Sequence, residues 1–120
     1  MALSPNQLLA QLAEYRGSTQ FFYNPHFPQY RYTEGIKYLA EAAEAYWLLD
    51  FIFSHQLTPD IGNEEFQVWE LKVIDDKGFV KVGDGNDNIV AEFEIPYTDF
   101  PLSEYTVWFV TSVLMLKSEY

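Results

Sequence analysis

The chain has 120 residues, 48% of them hydrophobic and 18% aromatic, which is enough for one packed core, so we expect a single domain over residues 1–120. It has no cysteine, which excludes disulfides and thiolate metal sites and is typical of a cytoplasmic protein. Eighteen acidic residues against seven basic ones give a formal net charge of −11, which disfavours direct binding of nucleic acid and of anionic membranes but permits docking on a basic protein.

We expect neither a signal peptide nor a membrane span. The N-terminal residues lack a basic region followed by a long apolar stretch. The most hydrophobic later segment, residues 45–54, is shorter than the roughly 20 residues that a spanning helix needs, and it contains Asp50.

The first predicted element is a short amphipathic helix from Pro5 to about Tyr15. Ser4 is its expected N-cap, and Gln7 stands where it can close a capping box. Gly17 is the expected end signal, because glycine readily adopts the left-handed conformation that follows many helices.

Two aromatic runs, residues 21–23 and 30–32, predict a loose hairpin. Pro25 and Pro28 lie between them, and proline cannot donate a ladder hydrogen bond, so we expect short strands or a sheet edge.

The longest predicted helix covers residues 34–55, with Thr33 as its N-cap. At 100° per residue its first half is amphipathic. In its second half, Leu48 and Ile52 fall on the side that carries polar residues in the first half. The second half is therefore apolar on nearly all sides. Something must therefore cover this end of the helix.

Alternation of apolar and polar residues predicts a β-meander with strands over 66–74, 79–82 and 89–95. A turn at 75–78 and a loop at 83–88 join them.

A proline-bounded crossing then leads to a final hairpin, residues 105–110 and 113–116. Both of its faces are apolar, with Trp108 and Val110 on one side, so we expect it to lie inside the sheet or against another chain. The predicted fold is α+β, an antiparallel sheet of about five or more strands with one short and one long helix packed on one face.

Several segments carry a family resemblance: YTEGIKYLAE at 32–41, AYWLLDFIFSHQ at 45–56, FQVWEL at 66–71, IPYTDFPLSEY at 95–105 and LKSEY at 116–120. The chain resembles a small uncharacterised bacterial family, a domain of unknown function that is frequent on plasmids and other mobile elements. The resemblance implies a bacterial intracellular protein and brings no activity, ligand or catalytic residue.

Asp50 is the residue that departs most from the pattern. The helical projection from Ile36 places it on the core-facing side of the long helix, where a carboxylate needs a partner or a raised pKa. It is then a structural residue bonded to a tyrosine hydroxyl, a backbone amide or Arg31, or a ligand-binding or acid–base carboxylate. The third alternative is a helix-end position that is less buried than the projection indicates.

A ligand pocket is the alternative that gives Asp50 a function. In this hypothesis the aromatic loop roofs the pocket and contributes Tyr30 and Tyr32, while Tyr46 and His55 assist Asp50. Packing of these rings in the core is the competing interpretation.

No metal ion, cofactor or catalytic residue is predicted. His26 and His55 are far apart and belong to no ligand motif. The loop at 84–88 resembles a calcium loop, but Ile89 and Ile95 occupy the positions that require glycine and glutamate. The chain has no nucleophile elbow and no phosphate-binding glycine motif.

The leading hypothesis is a binding or accessory protein, rather than an enzyme, that forms a homo-oligomer, with a dimer favoured. Its expected apolar contact face comprises Leu48, Ile52, Trp108 and Val110. The alternatives are a small ligand-binding protein or enzyme with a pocket around Asp50, and an acidic protein that docks on a basic partner or mimics nucleic acid.

Overall fold

A seven-stranded sheet and four α-helices make up the computed structural model, which describes residues 4–16 and 20–120. The presence of both a sheet and helices confirms the predicted α+β class. Seven strands agree with the predicted number of about five or more. No helix in these two ranges is long and apolar enough to cross a membrane.

Helix α1 spans Pro5–Leu12 and begins as predicted. The Ser4 hydroxyl accepts a hydrogen bond from the backbone N–H of Gln7 at 3.2 Å, and the Gln7 side chain accepts one from the backbone N–H of Ser4 at 3.0 Å. This reciprocal pair is the expected capping box. The helix ends before the predicted Tyr15, and Gly17 lies outside the described residues.

The predicted helix over 34–55 is wrong as a single element. Helix α2 spans Glu34–Ala42 and α3 spans Tyr46–Ser54. A 3₁₀ turn, His55–Leu57, and the short helix α4, Pro59–Gly62, follow before the first strand of the meander.

A left-handed residue, Glu44, breaks the long helix. Its φ is 52°, and the N–H of Ala45 donates to the carbonyl of Ala40 at 2.8 Å. This is the hydrogen bond of a Schellman motif, which usually carries glycine at the left-handed position. The break changes the rotational phase of α3, so the projection from α2 does not apply beyond Ala42.

The strands follow the predicted hairpins and meander. They are β1 (Phe21–Asn24), β2 (Phe27–Thr33), β3 (Phe66–Ile74), β4 (Lys77–Gly83), β5 (Ile89–Ile95), β6 (Glu104–Val110) and β7 (Val113–Leu116). Their order across the sheet is β1-β2-β7-β6-β3-β4-β5.

One strand pair differs from the predicted antiparallel sheet. Strands β2 and β7 are parallel, with Arg31 beside Val113 and Tyr32 beside Leu114. The other neighbouring strands are antiparallel. This parallel pair joins the N-terminal hairpin to the C-terminal hairpin, so the final hairpin lies inside the sheet.

The buried face of the sheet covers the apolar end of the helical segment. Leu48 and Ile52 are 5% and 0% exposed, and they adjoin Trp69, Val80 and Val107 around a void of about 10 Å³. The prediction that these two helix residues form an open contact face is therefore wrong, because strands of the same chain already cover them.

A buried amide pair links the end of α3 to β3. The side chains of Gln56 and Gln67 donate to each other at 2.8 Å in both directions. Gln67 also donates to the carbonyl of Ile61 and accepts from the indole N–H of Trp69, each at 2.9 Å. Buried polar groups are tolerated when they are hydrogen-bonded, and this cluster satisfies that condition.

A second buried polar cluster lies at the start of α2. The carboxylate of Glu119, which is 8% exposed, accepts from the Thr33 hydroxyl at 2.5 Å and from the backbone N–H groups of Gly35 and Leu116 at 3.2 and 3.0 Å. The Thr33 hydroxyl also caps α2 by accepting from the N–H of Ile36 at 3.3 Å. A negative charge here complements the positive end of the helix dipole.

Tyr105 should lower the stability of the fold as the pH becomes alkaline. Burial, followed by the negative charge of Glu119, raises the pKa of Tyr105 from 10.0 to about 12. The folded state thus favours the neutral phenol, and its contribution to stability is complete below about pH 10 and is lost as pH rises through about 12. Between about pH 10 and 12, the free energy of unfolding measured in urea should fall less for Tyr105→Phe than for the unmodified protein. Equal losses would contradict this role of Tyr105.

Candidate functional site

One stripe of α3 faces an open groove. Trp47, Asp50, Phe51 and Ser54 recur at the i, i+3, i+4 and i+7 spacing that places side chains on one side of a helix. Asp50 is exposed, so its predicted burial among core residues is wrong. The reason is the break at Glu44, which rotates α3 relative to α2.

A hydrogen bond holds the exposed carboxylate to the tip of the first hairpin. Asn24, which is 5% exposed, donates from Nδ2 to Asp50 Oδ1 at 2.8 Å. The backbone N–H of His26 donates to Asn24 Oδ1 at 2.8 Å and so orients the amide. Asn24 is the one hydrogen-bond donor to Asp50 within the described ranges, and it bonds Oδ1 alone.

The groove has a volume of about 690 Å³, within the range of ligand sites in proteins. It is lined by His26, Phe27, Trp47, Asp50, Phe51, Ser54, Glu94, Ile95 and Pro96. The hairpin tip, α3 and the end of β5 therefore meet at one place. Among the described lining residues two are carboxylic acids and none is lysine or arginine.

His55 does not line this groove. Its Nδ1 lies 2.7 Å from the carbonyl of Phe51, so this nitrogen carries a proton and donates. Its ring contacts those of Phe51 and Phe93, at centroid distances of 4.5 and 4.4 Å. The structure thus places His55 in an aromatic cluster behind the groove.

The three predicted tyrosines make their contacts outside the groove that Asp50 lines. The Tyr46 hydroxyl contacts Glu41 at 3.4 Å, and partial burial followed by the charge of Glu41 raises the pKa of Tyr46. Burial and the same charge raise the pKa of Tyr32, which is 8% exposed. Tyr30 stacks on Phe53 with a centroid distance of 5.6 Å. None of the three lines the groove.

The loop that resembles a calcium site is closed on itself. Asp84 accepts hydrogen bonds from the side chain of Asn88 at 2.9 Å and from the backbone N–H of Asn86 at 2.8 Å. These bonds lower the pKa of Asp84, with the Asn88 side chain as the larger cause. Within the part of the chain that the structure describes, no three His, Asp or Glu side chains are grouped to hold a metal ion.

A second candidate site is an apolar surface on the sheet. Trp108 lies opposite Val68 and Met115, and Val110 lies opposite Phe66 and Val113, so these residues share one face. The ring of Tyr120 packs against Phe66 and Trp108 at 5.6 and 5.0 Å. The surface, called the Trp108 face below, comprises Phe66, Val68, Trp108, Val110, Val113, Met115 and Tyr120.

The Trp108 face is only partly covered. Its six strand residues are half-buried, and Tyr120 is 66% exposed. Trp108 and Val110 share one side of the hairpin as predicted, and Val107 and Phe109 on the opposite side are buried. Contiguous apolar patches of this kind commonly mark interaction surfaces.

Sequence reasoning missed several residues of the groove. Trp47, Phe51 and Ser54 were available as a stripe with Asp50, but only if α3 is treated as a separate helix. Asn24 was signalled by the Asn-Pro-His sequence of a turn, because asparagine side chains often accept from a backbone N–H two residues later. Glu94 lines the groove because the end of β5 lies beside α3, and no local sequence signal indicates this placement.

Comparisons with known proteins identify a family and no activity. A family model described as "Family of unknown function (DUF6876)" matches residues 6–120. No curated protein and no solved structure matches the chain. The resemblance to a domain of unknown function is confirmed, and any function must be argued from the residues.

Proposed function

We propose that this chain, which belongs to DUF6876, a family of unknown function, is a binding protein that forms a dimer through the Trp108 face. The observation that carries the proposal is a surface of six uncharged apolar residues on three adjacent strands, with the ring of Tyr120 packed against it. The proposal keeps Trp108 and Val110 from the sequence-based contact face and replaces Leu48 and Ile52, which are buried.

The composition of the Trp108 face favours a second copy as its occupant. Aromatic residues and methionine are enriched in protein interfaces, whose centres are depleted of charge. None of the seven side chains is charged, although 18 residues of the chain are acidic, so the face offers nothing to recognise a charged partner. A two-fold axis through one such face pairs it with itself and closes the assembly at a dimer.

Charges border this apolar surface. Arg31 lies beside Val113 on one side, and Glu70 lies beyond Val68 on the other, opposite Thr106. An apolar centre with a charged rim is the usual organisation of an interface. Because each copy carries a net charge of −11, salt should screen their repulsion and strengthen the dimer.

Light scattering at micromolar concentration tests the dimer. The unmodified protein should have the mass of two chains, and Val110→Lys should have the mass of one, because the substitution brings two ammonium groups into an apolar contact. Ile74→Lys is the matched control. Ile74 is 58% exposed and lies on the same strand face as Val68, about 20 Å away at 3.3 Å per residue, so this variant should remain a dimer.

A monomeric mass for the unmodified protein at low and high salt would refute self-association. Thermal unfolding of each variant separates loss of the dimer from loss of the fold. If Val110→Lys and Ile74→Lys reduced the dimer equally, the added charge rather than the Trp108 face would be responsible.

The acidic surface supports a second candidate, docking on a basic protein or mimicry of nucleic acid. Its motivation is the net charge of −11, which attracts basic surfaces over a distance set by ionic strength. The groove supports a third candidate, binding of a small ligand, because Asp50 lies there among aromatic side chains.

We also propose a cytoplasmic location, since the chain has no cysteine and needs no oxidising compartment.

A further inference from the structure

We propose that the groove beside Asp50 accepts an arginine side chain carried by a basic segment of a partner protein. This site is separate from the Trp108 face, so its test and the test of dimer formation are independent. Three properties of the groove carry the proposal: its charge, its aromatic walls and its openness.

The charge of the groove favours a cation. Asp50 is exposed and lines the groove, while Asn24 donates to Oδ1 at 2.8 Å and fixes the orientation of the carboxylate. Glu94 also lines the groove, and the described lining includes no lysine or arginine. An anionic ligand would meet these carboxylates with His26 as the one described lining side chain able to carry positive charge, which disfavours phosphate groups and nucleic acid at this position.

The walls of the groove are aromatic. Trp47 and Phe51 flank Asp50 on α3, and Phe27 approaches from the hairpin. All three are half-buried, so part of each side chain remains accessible. Aromatic faces attract cations, and tryptophan does so most strongly. A carboxylate among such rings therefore provides both a counter-charge and a stacking surface.

Arginine matches this combination better than lysine does. Its guanidinium is planar, stacks on aromatic rings and donates two parallel hydrogen bonds to a carboxylate. A lysine ammonium is more strongly hydrated and has no planar surface to stack. The side chain of arginine can thus contact Asp50 and the ring of Trp47 together, because these residues are three positions apart on one helix.

The openness of the groove favours a partner segment over a free small molecule. A ligand site normally buries most of its ligand, whereas this groove is bounded by the hairpin tip, α3 and one edge strand and is open on its remaining side. A partner segment can place one side chain in the groove and gain further attraction from the acidic surface around it, given the net charge of −11.

An NMR titration with short glycine–arginine peptides tests the proposal. The same peptide with lysine, and with citrulline as the neutral isostere of arginine, serves for comparison. The arginine peptide should shift the indole N–H signal of Trp47 and the backbone amides near Asp50. We expect the lysine peptide to bind several-fold more weakly, the citrulline peptide to bind about tenfold more weakly or not at all, and added salt to weaken the arginine complex.

Asp50→Asn should weaken binding of the arginine peptide about tenfold, because the amide can still accept from Asn24 but no longer carries charge. Asp87→Asn is the matched control, since it makes the same change of charge in the loop at the other end of β5. It should change the affinity less than twofold. Trp47→Leu, which keeps an apolar side chain but removes the ring, should weaken binding about threefold to tenfold.

Several results would overturn the proposal. These are equal binding of the arginine and citrulline peptides, equal weakening by Asp50→Asn and Asp87→Asn, signal shifts on the Trp108 face instead of the groove, or no binding of the arginine peptide at millimolar concentration. If Asp50→Asn loosened the hairpin, its unfolding curve would show it, and Trp47→Leu would then decide the outcome.

Discussion

Replacing Gln67 with leucine is expected to lower the free energy of unfolding by about 3 kcal/mol. The substitution would leave the side-chain amide of Gln56 and the indole N–H of Trp69 buried without their present partner. A buried polar group without a hydrogen bond loses its interaction with water and gains nothing in return. Urea unfolding at neutral pH measures the change.

A double variant separates the hydrogen bonds from the packing at this position. The double variant Gln56→Leu, Gln67→Leu removes both members of the amide pair. Its free energy of unfolding should fall by less than the sum of the decreases in the two single variants. Gln29→Leu, an exposed substitution of the same kind, should change the free energy by less than about 0.5 kcal/mol. Additive losses would show that the two amides do not interact.

Replacing Glu119 with glutamine should also cost stability, on the order of 2–3 kcal/mol. The carboxylate accepts hydrogen bonds from the Thr33 hydroxyl and from the N–H groups of Gly35 and Leu116. An amide group has one accepting oxygen and would present N–H donors to these donors. It would also remove the negative charge at the start of α2.

Chemical denaturation of Glu119→Gln tests this expectation, with Glu104→Gln as the control on an exposed residue. Near-equal stability of the two variants would show that the buried carboxylate contributes nothing beyond its shape. Gly35→Ala provides a second check. A methyl group there would lie 2.5 Å from Glu119 Oε1 and from a methyl group of Leu116, so it should destabilise the protein although alanine is the better helix former.

The predictions that held depend on neighbours in sequence. The capping box of Ser4 and Gln7 involves residues three apart, and the meander over 66–95 follows from alternation within each strand. The turn between β6 and β7 is similarly local, since Thr111 and Ser112 both have positive φ, as a tight hairpin turn requires.

The sequence did not predict the helix break because the left-handed residue there is Glu44, not the usual glycine. Glutamate is a good helix former and is rarely found in the left-handed region, so the local sequence favoured a continuous helix through Glu44. Continuing the 100° projection through this residue gave Asp50 the wrong exposure. The ligand hypothesis therefore named Asp50, which lines the groove, together with Tyr46 and His55, which do not.

The amino-acid pattern by itself determined the α+β class, most strand positions, the helix caps and the acidic character, because each depends on short-range spacing or on composition. Only the tertiary structure decided that Leu48 and Ile52 are covered, that Glu119 supports the start of α2, and that the hairpin tip and β5 meet α3 beside Asp50. These outcomes join residues far apart in the chain, such as Thr33 and Glu119, and the pairing of such residues is determined by the packing of the whole sheet.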